Sequence, residues 1–346
     1  MYRVIRWTAA VATALAVVLT GSACSATGAS PASSGAETRS ITVYNAQHEE
    51  LTQAWADAFT KETGVAVVLR NGGDSELGNQ IVQEGAASPA DVFLTENSPA
   101  ISLVDNARLL APVDQATLDQ VPARYRPTTG NWTGIAARST VFAYNPSLLP
   151  KAQLPTSMLD LADPSWKGRW AASPSGADFQ AIVSGLLELK GEAATSAWLA
   201  AMKQNYVAYK GNSAVLKAVN AGEVPGGLIY HYYWYGDQAD TKENSTDTVL
   251  HYFKNQDPGA FLSLSGGGVL SSSKKAADAQ SFLAFITGER GQAVLQTGSS
   301  YEYPVASDVA ANSALPPLAD LDAPVVDPAR LNGTKVTDLM TQAGLL

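Results

Sequence analysis

The feature that most constrains this chain is the alternation of short β-rich runs with helical apolar periods between Ile41 and Thr95. Ile41 to Tyr44 (ITVY) is β-rich. Leu51, Trp55 and Phe59 then recur at i, i+4 and i+8, one face of a helix. Gly64 stands where such a helix ends. Val65 to Leu69 (VAVVL) reads as a buried strand. Gly72-Gly73-Asp74 opens a second helix carrying Leu77, Ile81 and Val82 and closed by Gly85. Asp91 to Thr95 (DVFLT) is a third strand, and Ser98-Pro99 reads as an N-cap with proline at N1. This βαβαβ order predicts an α/β fold with a mostly parallel sheet covered by helices.

The later sequence repeats the theme. Ile135 to Tyr144 is strand-like. Phe179, Ile182, Val183, Leu186 and Leu187 form one helix face, Trp198, Leu199 and Met202 another, and Val215, Leu216 and Val219 a third. Leu228 to Tyr230 is a strand, followed by Tyr232-Tyr233-Trp234-Tyr235. Phe261 to Leu264 and Gly268 to Leu270 read as two further strands, and Phe282, Leu283 and Ile286 mark a late helix. With 346 residues, 46% of them hydrophobic, the chain can bury a large core and suggests two domains of about 150 residues each. No repeat and no linker after residue 40 separates two halves, so the domains are expected to share the chain by crossing more than once.

The start of the chain is an address. Arg3 and Arg6 precede an uncharged run from Trp7 to Leu19, then Gly21, Ser22, Ala23 and Cys24. This is the pattern of a secretory signal peptide over residues 1–23. The run is shorter than the roughly 20 residues that span a bilayer. Cys24, the only cysteine, sits where a bacterial lipobox places the lipidated residue, although Gly21 stands where Leu or Val is usual. Residues 24–40 then form a lipidated N-terminus and a small, polar tether. The expected location is outside the cytoplasmic membrane, lipid-anchored to its outer face.

A net charge of −9 argues against a nucleic-acid partner. A single cysteine excludes a disulfide framework and a cysteine-rich zinc site. Enzyme motifs fail on inspection: His48 to Thr52 reads HEELT, not HExxH, and there is no G-x-S-x-G elbow, phosphate loop or G-x-G-x-x-G. The triple glycine Gly266 to Gly268 fits close backbone packing or a bend in a strand.

Ligands of open α/β sheets sit beyond the carboxyl ends of strands. Four chemically pointed places fall there: His48-Glu49, Glu96-Asn97, Ser175-Gly176-Ala177 and Tyr232-Tyr233. Each alone also fits a structural role, such as a helix cap for His48, a solvated loop acid for Glu96, or a core cluster or sugar platform for the aromatics. Their common edge is what makes them a site.

The passages ITVYNAQHEEL (Ile41 to Leu51), ADVFLTEN (Ala90 to Asn97), GEVPGGLIYHYYWY (Gly222 to Tyr235), NQDPGAFLSLSGGGVL (Asn255 to Leu270) and EYPV (Glu302 to Val305) resemble the ferric ion-binding proteins of bacterial iron ABC importers. The resemblance covers nearly the whole chain from Ile41. It implies a two-lobed periplasmic-binding-protein fold of type II, with lobe 1 at 40–138 plus 263–313 and lobe 2 at 139–262 plus 314–346. It implies a non-enzymatic monomer that captures ferric ion, free or as a chelate, by hinge closure and delivers it to a membrane permease. The implied ferric ligands are His48, Glu96, Tyr232 and Tyr233. A synergistic anion, phosphate or carbonate, is implied on Ser175, Gly176 and Ala177, with Asn97 and Asn212 beside it. One departure stands on the anion side: Tyr230-His231 replace an asparagine pair.

The donor chemistry agrees. Ferric ion is hard and favours phenolate and carboxylate oxygen. Two phenolates and one carboxylate match its charge, an imidazole adds a neutral donor, and two positions remain for an anion or water. Zinc would take cysteine or more histidine, and calcium several carboxylates. Two rivals stay open: a protein of the same fold that binds an organic cation or oxyanion, with the tyrosines as a cation–π cage, and a secreted hydrolase.

Overall fold

The computed structural model describes residues 39–306 and 308–346. The signal segment, Cys24 and most of the tether lie outside the described residues. The described chain begins at Arg39, which bonds Asp278, and Ser40 opens the first strand.

The chain runs β1 (Ser40–Asn45), α1 (Glu49–Thr63), β2 (Ala66–Asn71), α2 (Asp74–Glu84), β3 (Val92–Leu94), α3 (Ser98–Asn106), the short α4 (Gln115–Leu118) and β4 (Thr133–Tyr144). It continues through β5 (Trp170–Ala172), α5 (Ala177–Asn205), β6 (Tyr206–Ala208), α6 (Asn212–Asn220), β7 (Gly226–Tyr230), α7 (His231–Ala239) and β8 (Val249–His251). It closes with β9 (Leu262–Val269), α8 (Ala276–Thr287), α9 (Glu289–Thr297) and α10 (Gly333–Gln342). The two apolar faces anticipated around Phe179 and Trp198 share α5, which breaks at Gly191, where φ is +79°.

The strands follow the order β2-β1-β3-β9-β4-β7-β5-β6, with β8 also on β4. The outer groups are parallel: β2-β1-β3 at one end and β7-β5-β6 at the other. The centre is not. β9 runs antiparallel to both β3 and β4, and β4 antiparallel to β7. The mostly parallel sheet read from the βαβαβ start is therefore a mixed sheet. The long strand β4 joins its halves, pairing with β9 along Thr133–Ser139 and with β7 along Thr140–Tyr144.

Each half has its own apolar core. Ile41, Val43, Trp55, Phe59, Phe282 and Leu283 pack on one side. Phe142, Trp166, Trp170, Phe179, Trp198 and Leu228 pack on the other, where Val336 and Met340 of α10 return to join them. The two strands expected around the triple glycine are one strand, β9. A β-carbon at Gly266 would stand 2.6 Å from Ile101 and one at Gly267 2.8 Å from Leu283, so bare backbone is what lets helices approach this strand. Helix α3 begins one residue earlier than the Ser98-Pro99 signal suggests: Asn97 is the N-cap, and Ser98 Oγ donates instead to the Leu264 carbonyl. No described helix is long and apolar enough to cross a membrane.

Candidate metal centre

Four loops at strand carboxyl ends deliver the site. His48 follows β1 and takes the N-cap position of α1 without capping it, its backbone N–H donating to Gln47 Oε1 at 2.7 Å. Glu96 follows β3. The buried carboxylate of Asp74, first residue of α2, clamps this turn by accepting the backbone N–H groups of Glu96 and Asn97, both at 2.9 Å. Tyr232 and Tyr233 occupy the first turn of α7, after β7, with rings stacked 4.3 Å apart. Asp178 lies in the first turn of α5, after β5.

These side chains converge. Tyr232 OH donates to Glu96 Oε1 at 2.8 Å. His48 Nε2 lies 3.3 Å from the same oxygen. Asp178 Oδ2 accepts from Tyr233 OH at 3.1 Å and from Tyr232 OH at 3.3 Å. Imidazole, two phenols and two carboxylates therefore form one cluster, drawn from both parallel strand groups. A cavity of about 460 Å³ opens beside it, lined by His48, Leu51, Tyr232, Tyr233 and Val294 among others. Among the described residues no group of three or more His, Cys, Asp or Glu is arranged to hold a metal, so a metal centre here depends on the phenol oxygens.

The cluster holds protons. Burial, then the charges of Asp178 and Glu96, push both Tyr232 and Tyr233 above the usual phenol range. Burial alone would lower His48, but its bonds to Glu302 and Glu96 outweigh that and raise it to about 10. Burial would raise Glu96, but the Arg138 charge and the His48 bond outweigh that and hold it at about 2. Burial and the Glu96 charge raise Asp178 to about 6 and Asp74 to about 8. A cation entering this site displaces protons rather than filling a bare ring of anions.

The profile of the bacterial extracellular solute-binding proteins matches residues 87–330. The chain belongs to that family. It is 67% identical over 306 residues to a Serratia marcescens "Fe(3+)-binding periplasmic protein", covering 88% of this chain and 90% of that one. It is 37% identical over 308 residues to a "Major ferric iron-binding protein" of Neisseria meningitidis, covering 88% and 93%. Among solved structures, that of iron-bound HitA from Pseudomonas aeruginosa superposes with a TM-score of 0.83 at 41% identity, over 89% of this chain and 100% of that one. The fold is the mixed α/β fold of periplasmic binding proteins, and the family is one of solute binders rather than enzymes.

In this solute-binding protein two of the residues singled out for an anion, Asn97 and Asn212, bond the side chain of Asp178. Asn212 Nδ2 donates to Asp178 Oδ2 at 2.6 Å and Asn97 Nδ2 to Asp178 Oδ1 at 3.1 Å. Tyr230, the first residue of the departing Tyr230-His231 pair, donates to the Asp178 carbonyl at 3.3 Å and to Asn97 Oδ1 at 3.4 Å. Gly176 caps α5 and Ala177 is its first residue, but Ser175 is exposed and its hydroxyl bonds no other described residue. Asp178 was missed by the sequence reading. The available signal was an acid placed directly after the Ser-Gly-Ala turn, in a helix first turn where negative charge is favoured.

Proposed function

We propose that the protein captures ferric ion outside the cytoplasmic membrane and delivers it to the permease of an ABC importer. One observation carries this: His48, Glu96, Tyr232, Tyr233 and Asp178 point their donor atoms at one spot. Once deprotonated they offer two phenolates, two carboxylates and one imidazole, the hard oxygen-rich set that a ferric ion favours. The four negative donor charges exceed the three of the ion by one. The names of the relatives support the same cargo.

Asp178 takes the place of the external anion. Its carboxylate is held by the two asparagines the anion was to use, so no phosphate or carbonate is needed to complete the protein's share of the shell. A cation–π cage fits less well, because Tyr232 and Tyr233 stack on each other and do not face each other across a guest. The donors come from both ends of the sheet. The bodies that move are 40–138 plus 263–313 and 139–262 plus 314–346, hinged at β4 and β9. Cys24 is lipidated and holds the protein at the membrane as a monomer. Small-angle scattering with metal analysis tests the core of this reading. One ferric ion per chain and a smaller radius of gyration are expected. Bound iron with no change in radius would mean that the lobes do not close on it.

A further inference from the structure

Two fully buried charges lie behind the donors, and the capture of iron as described so far does not require their arrangement. Arg138, in the middle of β4, and Glu302, first residue of the EYPV run, are both 0% exposed. Arg138 Nη2 lies 3.0 Å from Glu302 Oε2. That same oxygen accepts from Gln47 Nε2 at 3.2 Å and from Ser265 Oγ at 3.3 Å. Gln47 closes the ring: its Oε1 accepts from Arg138 Nη2 at 2.7 Å and from the His48 backbone N–H at 2.7 Å. The carboxylate of Glu302 is thus held through Oε2 alone, by two hydrogen bonds and the Arg138 ion pair.

Its other oxygen, Oε1, is buried with no hydrogen bond of good geometry, and His48 Nδ1 lies 3.0 Å from it. A buried ion pair is often no more stable than apolar residues of the same volume. Here the pair also leaves Arg138 Nε and Nη1 without partners. Stability alone does not account for it. The geometry instead resembles the way metal-bound histidines are held generally, with the second ring nitrogen on a carboxylate that sets tautomer and ring orientation and strengthens the donor.

We propose that Glu302, locked by Arg138, Gln47 and Ser265, is a positioning residue for the cargo ion. It keeps the proton on His48 Nδ1 and turns the Nε2 lone pair toward Glu96 and the phenols. This rests on the ferric reading above. The buried carboxylate also makes the imidazole a better donor to the ferric than to the ferrous ion, so it favours the higher oxidation state.

A double-mutant cycle tests it, with ferric affinity measured against a competing chelator in wild type, Glu302→Gln, His48→Ala and the double variant. Glu302→Gln should weaken ferric binding about 10-fold, the low end for such outer contacts, because the amide oxygen can still accept from Nδ1–H. The phenolate colour should persist, and the reduction potential of the bound iron should rise. In the His48→Ala background the same substitution should change affinity by less than about twofold. Equal losses in both backgrounds would overturn the proposal, since Glu302 would then act on the fold and not through His48. Because Glu302→Gln leaves Arg138 buried without its counter-charge, the cycle is repeated on Arg138→Gln/Glu302→Gln with and without His48→Ala. The same lack of further loss without His48 is expected, and a persistent loss overturns the proposal. If the wild-type protein binds no ferric ion, the proposed function fails instead, so the two failures are distinguishable.

Discussion

Iron binding should release about three protons at neutral pH, one more than the tyrosine pair alone accounts for. Without metal, Tyr232 and Tyr233 are protonated, both held above the usual phenol range. From pH 7 even an unperturbed phenol, with a pKa of ~10, costs about 3 units, or ~4 kcal/mol at 1.36 per unit, to ionise, and the ferric ion must supply more than that for each phenolate. His48, at about 10, also carries a proton that must leave Nε2 when the metal arrives. Asp178, at about 6, and Glu96, at about 2, are largely ionised at pH 7 and release little. Three protons make affinity fall about a thousandfold for each unit of acidification near neutrality. The slope steepens below pH 6 as Asp178 becomes protonated, and relaxes above pH 10 as His48 loses its proton unaided. The assay is proton release in weak buffer with a fixed ferric chelate as donor, corrected for the protons of that chelate. His48→Gln should lower the release by one. A wild-type value near two, unchanged in His48→Gln, would show that His48 is neutral in the metal-free protein and refute this count.

Asp178→Ala should make ferric binding depend on added phosphate or carbonate while wild type stays indifferent to both; a wild type that also needs the anion would remove Asp178 from the metal shell. Cys24→Ala should leave the protein in the soluble fraction, and a variant that still pellets wholly with membranes would contradict lipidation. Trp170→Ala, which empties a fully buried position on β5 within the second core, should cost about 3–5 kcal/mol in denaturant unfolding.

Much of the fold was legible because the helices carry strong period. Trp55 and Phe59 on α1 and Phe282 on α8 lie in the core where their spacing put them. The antiparallel centre was not legible. A parallel βαβ start does not reveal that the chain returns more than 160 residues later to place β9 between β3 and β4. The glycines that allow this divided one strand into two in the reading because glycine lacks β propensity, but their close-packing role was legible: they admit Ile101 and Leu283. The site was legible where residue type is distinctive, as in His48, Glu96 and the tyrosine pair. Asp178 and Glu302 were not, because a lone acid in a helix turn or a loop looks solvated until burial and partners are known. His48 shows the same limit in its charge: only the carboxylates on both ring nitrogens explain why it stays protonated at neutral pH.

The most direct test of the central claim is a visible spectrum of the purified protein titrated with ferric ion. Phenolate-to-iron charge transfer should give an intense band that saturates at one ion per chain. Tyr233→Phe should remove most of it, and the Tyr232→Phe/Tyr233→Phe double variant should be colourless. A double variant that keeps the colour, or a wild type that binds iron without any band, would contradict a ferric centre built on these two tyrosines.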